Sequence, residues 1–384
     1  MVGRFGRCRA PPNYGYRALS AVGPQGANPS RVDVQTADPS VCRRKTFVFV
    51  HRDCDSIAHD EGHNVRGQVT GRGYIPAMSL AVRLLGTSAS RPTVERNVAS
   101  IALVREGETL LFDCGEGTQR QMMRYGVSFA FADLFFTHFH ADHVIGVIGL
   151  LRTMALQGRT EPLRLWGPRG ATRMLKRAED FGMDRLTFSL EVTELDPGQR
   201  VERADYAIVA FAVDHRGARA LGYLLEEQDR KGRFNPELAR ELGVPEGPLW
   251  GQIHRGRAVT LDDGRVIEPS VLVGGPRPGR RVVITGDTRP CDTTIDAARG
   301  ADLLVHEATF GNEEADRAVE TGHSTAREAA LVARDAGVGA LLLTHFSARY
   351  SRDATELGRE ARDFFSGTVH VGRDGMEIDV PYRE

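Results

Sequence analysis

The chain lacks any apolar run long enough to cross a bilayer as a helix. Its longest, residues 144–151, falls far short of the roughly twenty residues a span requires. An excess of one charge sign is also missing: the formal net charge is −1 over 384 residues, so attraction to a polyanion has to come from a local patch. Cysteine is scarce. Cys8, Cys42, Cys54, Cys114 and Cys291 are an odd set without paired spacing, which argues against a disulfide framework and for a reducing, cytoplasmic setting. No internal repeat has the period of a solenoid or propeller. With 41% hydrophobic and 26% charged residues, the composition suits one large α/β domain or two smaller ones.

What is present divides near residue 77. Residues 1–77 are rich in Arg, Gly, Pro and Ser and carry eleven basic against six acidic side chains, a net +5 that leaves −6 for the rest. They read as a disordered extension, with Met78, directly before the first good strand, as an alternative start of translation. No continuous apolar core of a secretory signal precedes it. His51, Cys54, His59 and His63 are too irregularly spaced to make a strong metal site, and a basic arm for RNA is an equally weak reading of the same stretch.

From residue 80 the pattern becomes α/β. Strands are predicted over 80–85, 100–104 and 109–113, with a turn at Glu106, Gly107 and Glu108, and a short helix follows over 117–125. A strand at 134–137 leads into a helix at about 142–157. Further strands are predicted at 163–166, 207–213, 219–225, 282–285, 303–305 and 341–344, alternating with helical stretches.

The strongest chemical signal lies where the strand at 134–137 ends. Residues 135–143 read Phe-Phe-Thr-His-Phe-His-Ala-Asp-His, placing three histidines and an aspartate within six positions. Imidazole suits zinc, and a carboxylate serves as ligand or base. On extended chain His138 and His140 share one side, whereas Asp142 and His143 project differently as the helix begins, so one loop addresses two adjacent metal positions. A single histidine there would be an ordinary loop or core residue; four such residues at a strand-to-helix turn are a site.

This run resembles the signature of the metallo-β-lactamase superfamily, and its surroundings from 78 to 384 resemble the ribonuclease Z branch. The matching segments, in order, are Gly-Thr-Ser-Ala at 86–89 with 92–97, Phe-Asp-Cys-Gly-Glu-Gly-Thr-Gln at 112–119, Gly-Asp-Thr-Arg-Pro at 286–290, His-Glu-Ala-Thr at 306–309 and Thr-His-Phe-Ser at 344–347. The resemblance implies an αβ/βα sandwich of α/β class with an inserted flexible arm at about 226–278. It implies two zinc ions, one held by His138, His140 and His215, the other by Asp142, His143 and His345, with Asp287 bridging. The three remote ligands each end a predicted strand, where a sheet can fix side chains for metal geometry. Asp142 would orient the attacking water between the ions and accept its proton, and His323 would serve the leaving 3′ oxygen. Beside His323, Ser324 or Thr325 reads as the N-cap of a helix at about 326–335. His306 and Glu307 would orient His323 or the phosphate, or be structural; Asp113 would support the metal loop.

A two-ion site alone does not choose RNA. The discriminating feature is the insertion, where residues 243–251 read Gly-Val-Pro-Glu-Gly-Pro-Leu-Trp-Gly and resemble the Gly-Pro motif of an arm that clasps transfer RNA. Gly247, Pro248, Trp250, Arg255 and Arg257 are the implied contacts, the tryptophan by stacking and the arginines by phosphate pairing. Residues 92–97 resemble a loop that discriminates against RNA already ending in CCA, with Arg96 and Asn97 as substrate contacts and Val94 where a lysine is often found. The whole resemblance implies an endoribonuclease that removes the 3′ trailer of precursor transfer RNA, acting as a cytoplasmic homodimer away from membranes. Two other readings are open on sequence: a different esterase on the same scaffold, and an RNA-binding module without activity.

Overall fold

A computed structural model describes residues 79–182 and 185–383. The extension at 1–77, including His51, Cys54, His59 and His63, lies outside the described residues. Among these, the strands are β1 (Leu80–Gly86), β2 (Ser100–Arg105), β3 (Glu108–Phe112), β4 (Asp133–Phe135), β5 (Leu163–Pro168), β6 (Leu190–Leu195), β7 (Arg200–Glu202) and β8 (Tyr206–Ala212). They continue with β9 (Leu221–Glu227), β10 (Val259–Thr260), β11 (Val266–Ile267), β12 (Arg281–Ile284), β13 (Leu303–Glu307), β14 (Ala340–Thr344), β15 (Thr368–Val371) and β16 (Glu377–Asp379). One seven-stranded sheet has the order β16-β1-β2-β3-β4-β5-β6 and the other β15-β14-β13-β12-β9-β8-β7. Each is half antiparallel and half parallel: β3 to β6 run parallel in the first, β12 to β15 in the second.

Strand periodicity explains the layers. Leu103, Leu110, Phe112 and Phe135 from the first sheet meet Ile208, Tyr223, Val282, Ile284 and Val305 from the second in one core. Their neighbours point outward. Ala102, Leu111 and Leu134 pack under the helices Thr118–Arg124, Gly146–Leu156 and Ala171–Glu179. Val283, Leu304, Leu341 and Leu343 pack under Asp292–Ala298, Ala326–Ala336 and Thr355–Arg362. Central strands covered on both faces must be apolar throughout, which is why runs such as Leu-Leu-Val in β13 show no alternation. The result is helix, sheet, sheet, helix, the expected sandwich.

The turn between β2 and β3 has Glu106 at φ 49° and Gly107 at φ 89°, the left-handed pair a two-residue hairpin needs. The helix predicted from 142 is divided, Ala141–Val144 followed by Gly146–Leu156. Gly146 sits where a Cβ would come within 1.8 Å of the Gly115 carbonyl oxygen, so only glycine lets this helix lie against the loop after β3. No described helix is long and apolar enough to cross a membrane.

The insertion between β9 and β12, expected as a flexible arm, has secondary structure and a core of its own. It forms helices Pro236–Glu241, Pro248–His254 and Pro269–Leu272 and the hairpin β10-β11, around a small core of Ala239, Val244, Ile253, Val259, Leu261, Ile267 and Leu272. At its root Glu227 is buried between Arg105 of β2 and Arg280. Arg105 Nε donates to Oε1 at 2.8 Å, and Arg280 grips both oxygens at 2.7 and 2.8 Å.

Candidate metal centre

The parallel strands deliver their following loops to one rim, where the residues singled out by sequence converge. Asp113 follows β3, residues 138–143 follow β4, His215 follows β8, Asp287 follows β12 and His345 follows β14. Ligand-capable atoms of His138, His140, His215 and Asp287 lie within 4.8 Å of one another, as do those of Asp142, His143 and His345. Asp287 stands between the sets. Its Oδ2 is 3.6 Å from His138 Nε2 and 3.3 Å from His143 Nε2, and its Oδ1 is 3.3 Å from His345 Nε2.

The imidazoles are oriented from behind. Nδ1 of His215 faces the Gly322 carbonyl at 2.7 Å, that of His143 the Asp113 carboxylate at 2.8 Å, and that of His345 the Thr309 hydroxyl at 3.0 Å. His138 Nδ1 faces Thr137 Oγ1 at 3.1 Å. A partner on Nδ1 leaves Nε2 for the centre, the usual device for fixing a ligating histidine. His140 is the exception, presenting Nδ1 to His138 and His215 at 3.0 and 3.1 Å. Asp113 also accepts from the Thr137 amide and hydroxyl, both at 2.8 Å, so one buried carboxylate sets the 138–143 loop and the His143 ring together.

These residues fit a metal pair. Donors bonded at about 2.0–2.1 Å to a tetrahedral zinc stand roughly 3.3–3.4 Å apart, and the spacings here, 3.0 to 3.9 Å, bracket that value. Asp287 Oδ1 is buried without a hydrogen-bond donor, which a native fold rarely tolerates unless an ion or water completes it. Burial disfavours charge on Asp142 and Asp287, but the facing histidines hold both carboxyls below the ordinary range.

On the cleft side of this centre lies a second constellation. His323 Nδ1 is 2.9 Å from Glu307 Oε1. Burial alone would lower the imidazole's pKa; the Glu307 carboxylate outweighs it and raises the value to about 9. Glu307 also accepts from the Thr288 amide and from the Thr309 hydroxyl that faces His345, so it ties His323, the Asp287 loop and His345 together. Thr325 caps the helix Ala326–Ala336 in a reciprocal box with Glu328, and Arg289 pairs with Glu328 while donating to the His323 carbonyl. His306, in contrast, is fully buried with Nδ1 facing the Glu307 carbonyl at 2.7 Å.

Comparison with known proteins now bears on this geometry. The beta-lactamase superfamily domain model matches residues 108–241 and 255–346. A ribonuclease Z of Gemmatimonas aurantiaca is 65% identical over 308 residues, 80% of this chain and 98% of that protein, and one of Myxococcus xanthus is 53% identical over 305 residues, 79% and 99% of the two. The chain belongs to the ribonuclease Z family. The crystal structure of the short form of human tRNase Z superposes with a TM-score of 0.56 at 28% identity, covering 78% of this chain and 99% of that one. The chain is thus a hydrolase of the ribonuclease Z family, with a metallo-β-lactamase sandwich and a histidine–aspartate cluster fit for metal.

Other residues singled out by sequence do not sit at this rim. Arg96 is buried: its guanidinium donates to Thr87 Oγ1 and to the Gly372 and Ser351 carbonyls and lies over the Phe346 ring at 4.8 Å. Buried, and with Nε and Nη1 engaged inside the protein, it braces the 92–97 loop. Asn97 is half-buried, its amide on Asp374. Trp250 is half-buried and packs against the insertion's own core, 5.2 Å from the Phe234 ring, with Nε1 donating to the Val244 carbonyl. Gly247, Pro248, Arg255 and Arg257 are exposed on the insertion. Sequence reasoning missed Ser90. Its backbone sits at φ 61° and its amide donates to Asp142 Oδ2 at 2.6 Å, a local strain spent on aiming a carboxylate. The run Ser-Ala-Ser at 88–90 carried no signal for that.

Proposed function

We propose that this chain is a two-zinc endoribonuclease that removes the 3′ trailer from precursor transfer RNA, leaving a 3′-hydroxyl on the transfer RNA and a 5′-phosphate on the trailer. The observation that carries the reading is the meeting of two histidine–carboxylate sets at Asp287 with a carboxylate-backed histidine, His323, beside them. His138, His140 and His215 would hold one ion, Asp142, His143 and His345 the other, and Asp287 both. When bound, such a pair neutralises a scissile phosphate and acidifies water for attack.

The protein's own groups supply the rest. Asp142, held ionised and aimed by the Ser90 amide, accepts the proton of the attacking water. His323, protonated near neutrality, delivers a proton to the departing 3′ oxygen while Glu307 steadies its ring. Both line a cleft of about 800 Å³ whose walls include Arg91, Arg317 and Arg349, cations suited to a polyphosphate strand. The exposed Arg255 and Arg257 of the insertion are set to meet the body of the transfer RNA. Family membership supports a homodimer in the cytoplasm as the working form.

The test is cleavage of a precursor transfer RNA carrying a 3′ trailer by the purified, zinc-loaded chain and by Asp142→Ala. Cleavage by the first alone is expected; equal cleavage by both, or none by either, refutes the reading.

A further inference from the structure

A second cleft, of about 540 Å³, shares His140 with the one that holds His323 and Asp142. Its lining has no acidic side chain. Three arginines, Arg169, Arg173 and Arg219, stand along it, with the half-buried Phe139 ring and Met174 between them. Arg169 is engaged at the surface with Asp196 at 2.7 Å. Arg173 and Arg219 are exposed, and neither is ion-paired with a described residue. Cations along a groove with an aromatic face within it are the usual composition of a site for single-stranded nucleic acid, where phosphates pair and a base stacks.

The direction of the RNA follows from the reaction. The leaving 3′ oxygen belongs to the transfer RNA and must lie beside His323, in the larger cleft. The phosphorus stays with the trailer, whose chain therefore departs from the metal centre on another side. The arginine cleft shares a proposed metal-holding side chain, His140, with the first and has neither His323 nor Asp142 in its lining.

We infer that this cleft binds the first nucleotides of the 3′ trailer as a single strand, with Arg173 and Arg219 on its phosphates and Phe139 against a base. The inference rests on the functional reading above and adds to it where the departing product lies. It makes the trailer a source of affinity, so precursors with trailers of several nucleotides bind better than those with one.

The experiment compares wild type with the double substitution Arg173→Glu and Arg219→Glu in two assays. One is cleavage of precursors with one-nucleotide and eight-nucleotide trailers; the other is fluorescence anisotropy of a 5′-phosphorylated octaribonucleotide, the product itself. The expected result is a drop of about tenfold in the long-over-short ratio of kcat/KM, carried by KM. The octanucleotide should bind about tenfold more weakly, with its salt slope reduced by about 1.4, two single-strand phosphate contacts' worth. An equal loss on both precursors, or unchanged octanucleotide binding, overturns the assignment. If wild type cleaves neither precursor, the functional reading has failed, and the cleft is then no trailer site even when the octanucleotide binds it.

Discussion

The metal loop and the insertion make opposite uses of the same chain. Around the centre the imidazoles are held from behind, His143 by Asp113, His345 by Thr309 and His323 by Glu307. Most of these groups are buried, and the two sheets fix them at strand ends. The insertion has a core of seven buried residues and displays its cations, Arg255 and Arg257, on an exposed surface. Positioning to fractions of an ångström is required where bonds break and is dispensable where a large, charged molecule is gathered. Substitutions in the first region should therefore change turnover, and those in the second should change binding.

The sharpest contrast is expected from Asp142→Ala, which should lower kcat by about 10³-fold with little change in precursor affinity, measured in single-turnover cleavage. A large rise in Kd with unchanged turnover would break the comparison at its first limb. Next is the independence of the insertion. Leu272→Ala, deep in its small core, should cost about 2–5 kcal/mol locally. Amide exchange over 234–272 should quicken while β3 and β4 keep their protection; collapse of both together would show that the insertion has no stability of its own.

The root of the insertion gives a pH test. Burial opposes ionisation of Glu227, but hydrogen bonds from Arg280 and Arg105 prevail and bring its pKa down to about 2. A carboxyl with a lower pKa folded than unfolded stabilises the fold above its unfolded value, near 4.5, and that contribution is lost as pH falls toward 2. Thermal denaturation should show this decline, and Glu227→Gln should lower stability at pH 7 while flattening it. The smallest expected effect is at Arg255→Ala with Arg257→Ala: about two- to fivefold weaker precursor binding, a shallower salt dependence and unchanged kcat.

The site was far more legible in the sequence than the insertion, for physical reasons. A strand-to-helix loop fit for metal concentrates its donors, so residues 138–143 announce themselves, and Asp287 and His345 are found by looking just past apolar strands. Arg96 misled because an arginine in a loop is read as solvent-facing, whereas here three oxygen acceptors and an aromatic ring reward its burial. The packing of Trp250 was not legible because a core of seven residues, spread over five short elements and the turns between them, leaves no sustained period to read. The edge strands β7 and β16 are three residues long and mostly polar, and their positions are set by pairing with β8 and β1 rather than by their own pattern. Ser90 acts through its backbone amide, which side-chain identity cannot report.

The most direct test of the central claim is the chemistry of the ends produced from a precursor transfer RNA. A 3′-hydroxyl on the transfer RNA and a 5′-phosphate on the trailer, from wild type but not from Asp142→Ala, is the expected result. A 2′,3′-cyclic phosphate or a 3′-phosphate on the transfer RNA would mean that water is not the nucleophile at this centre or that the other ester bond breaks, and would contradict the account.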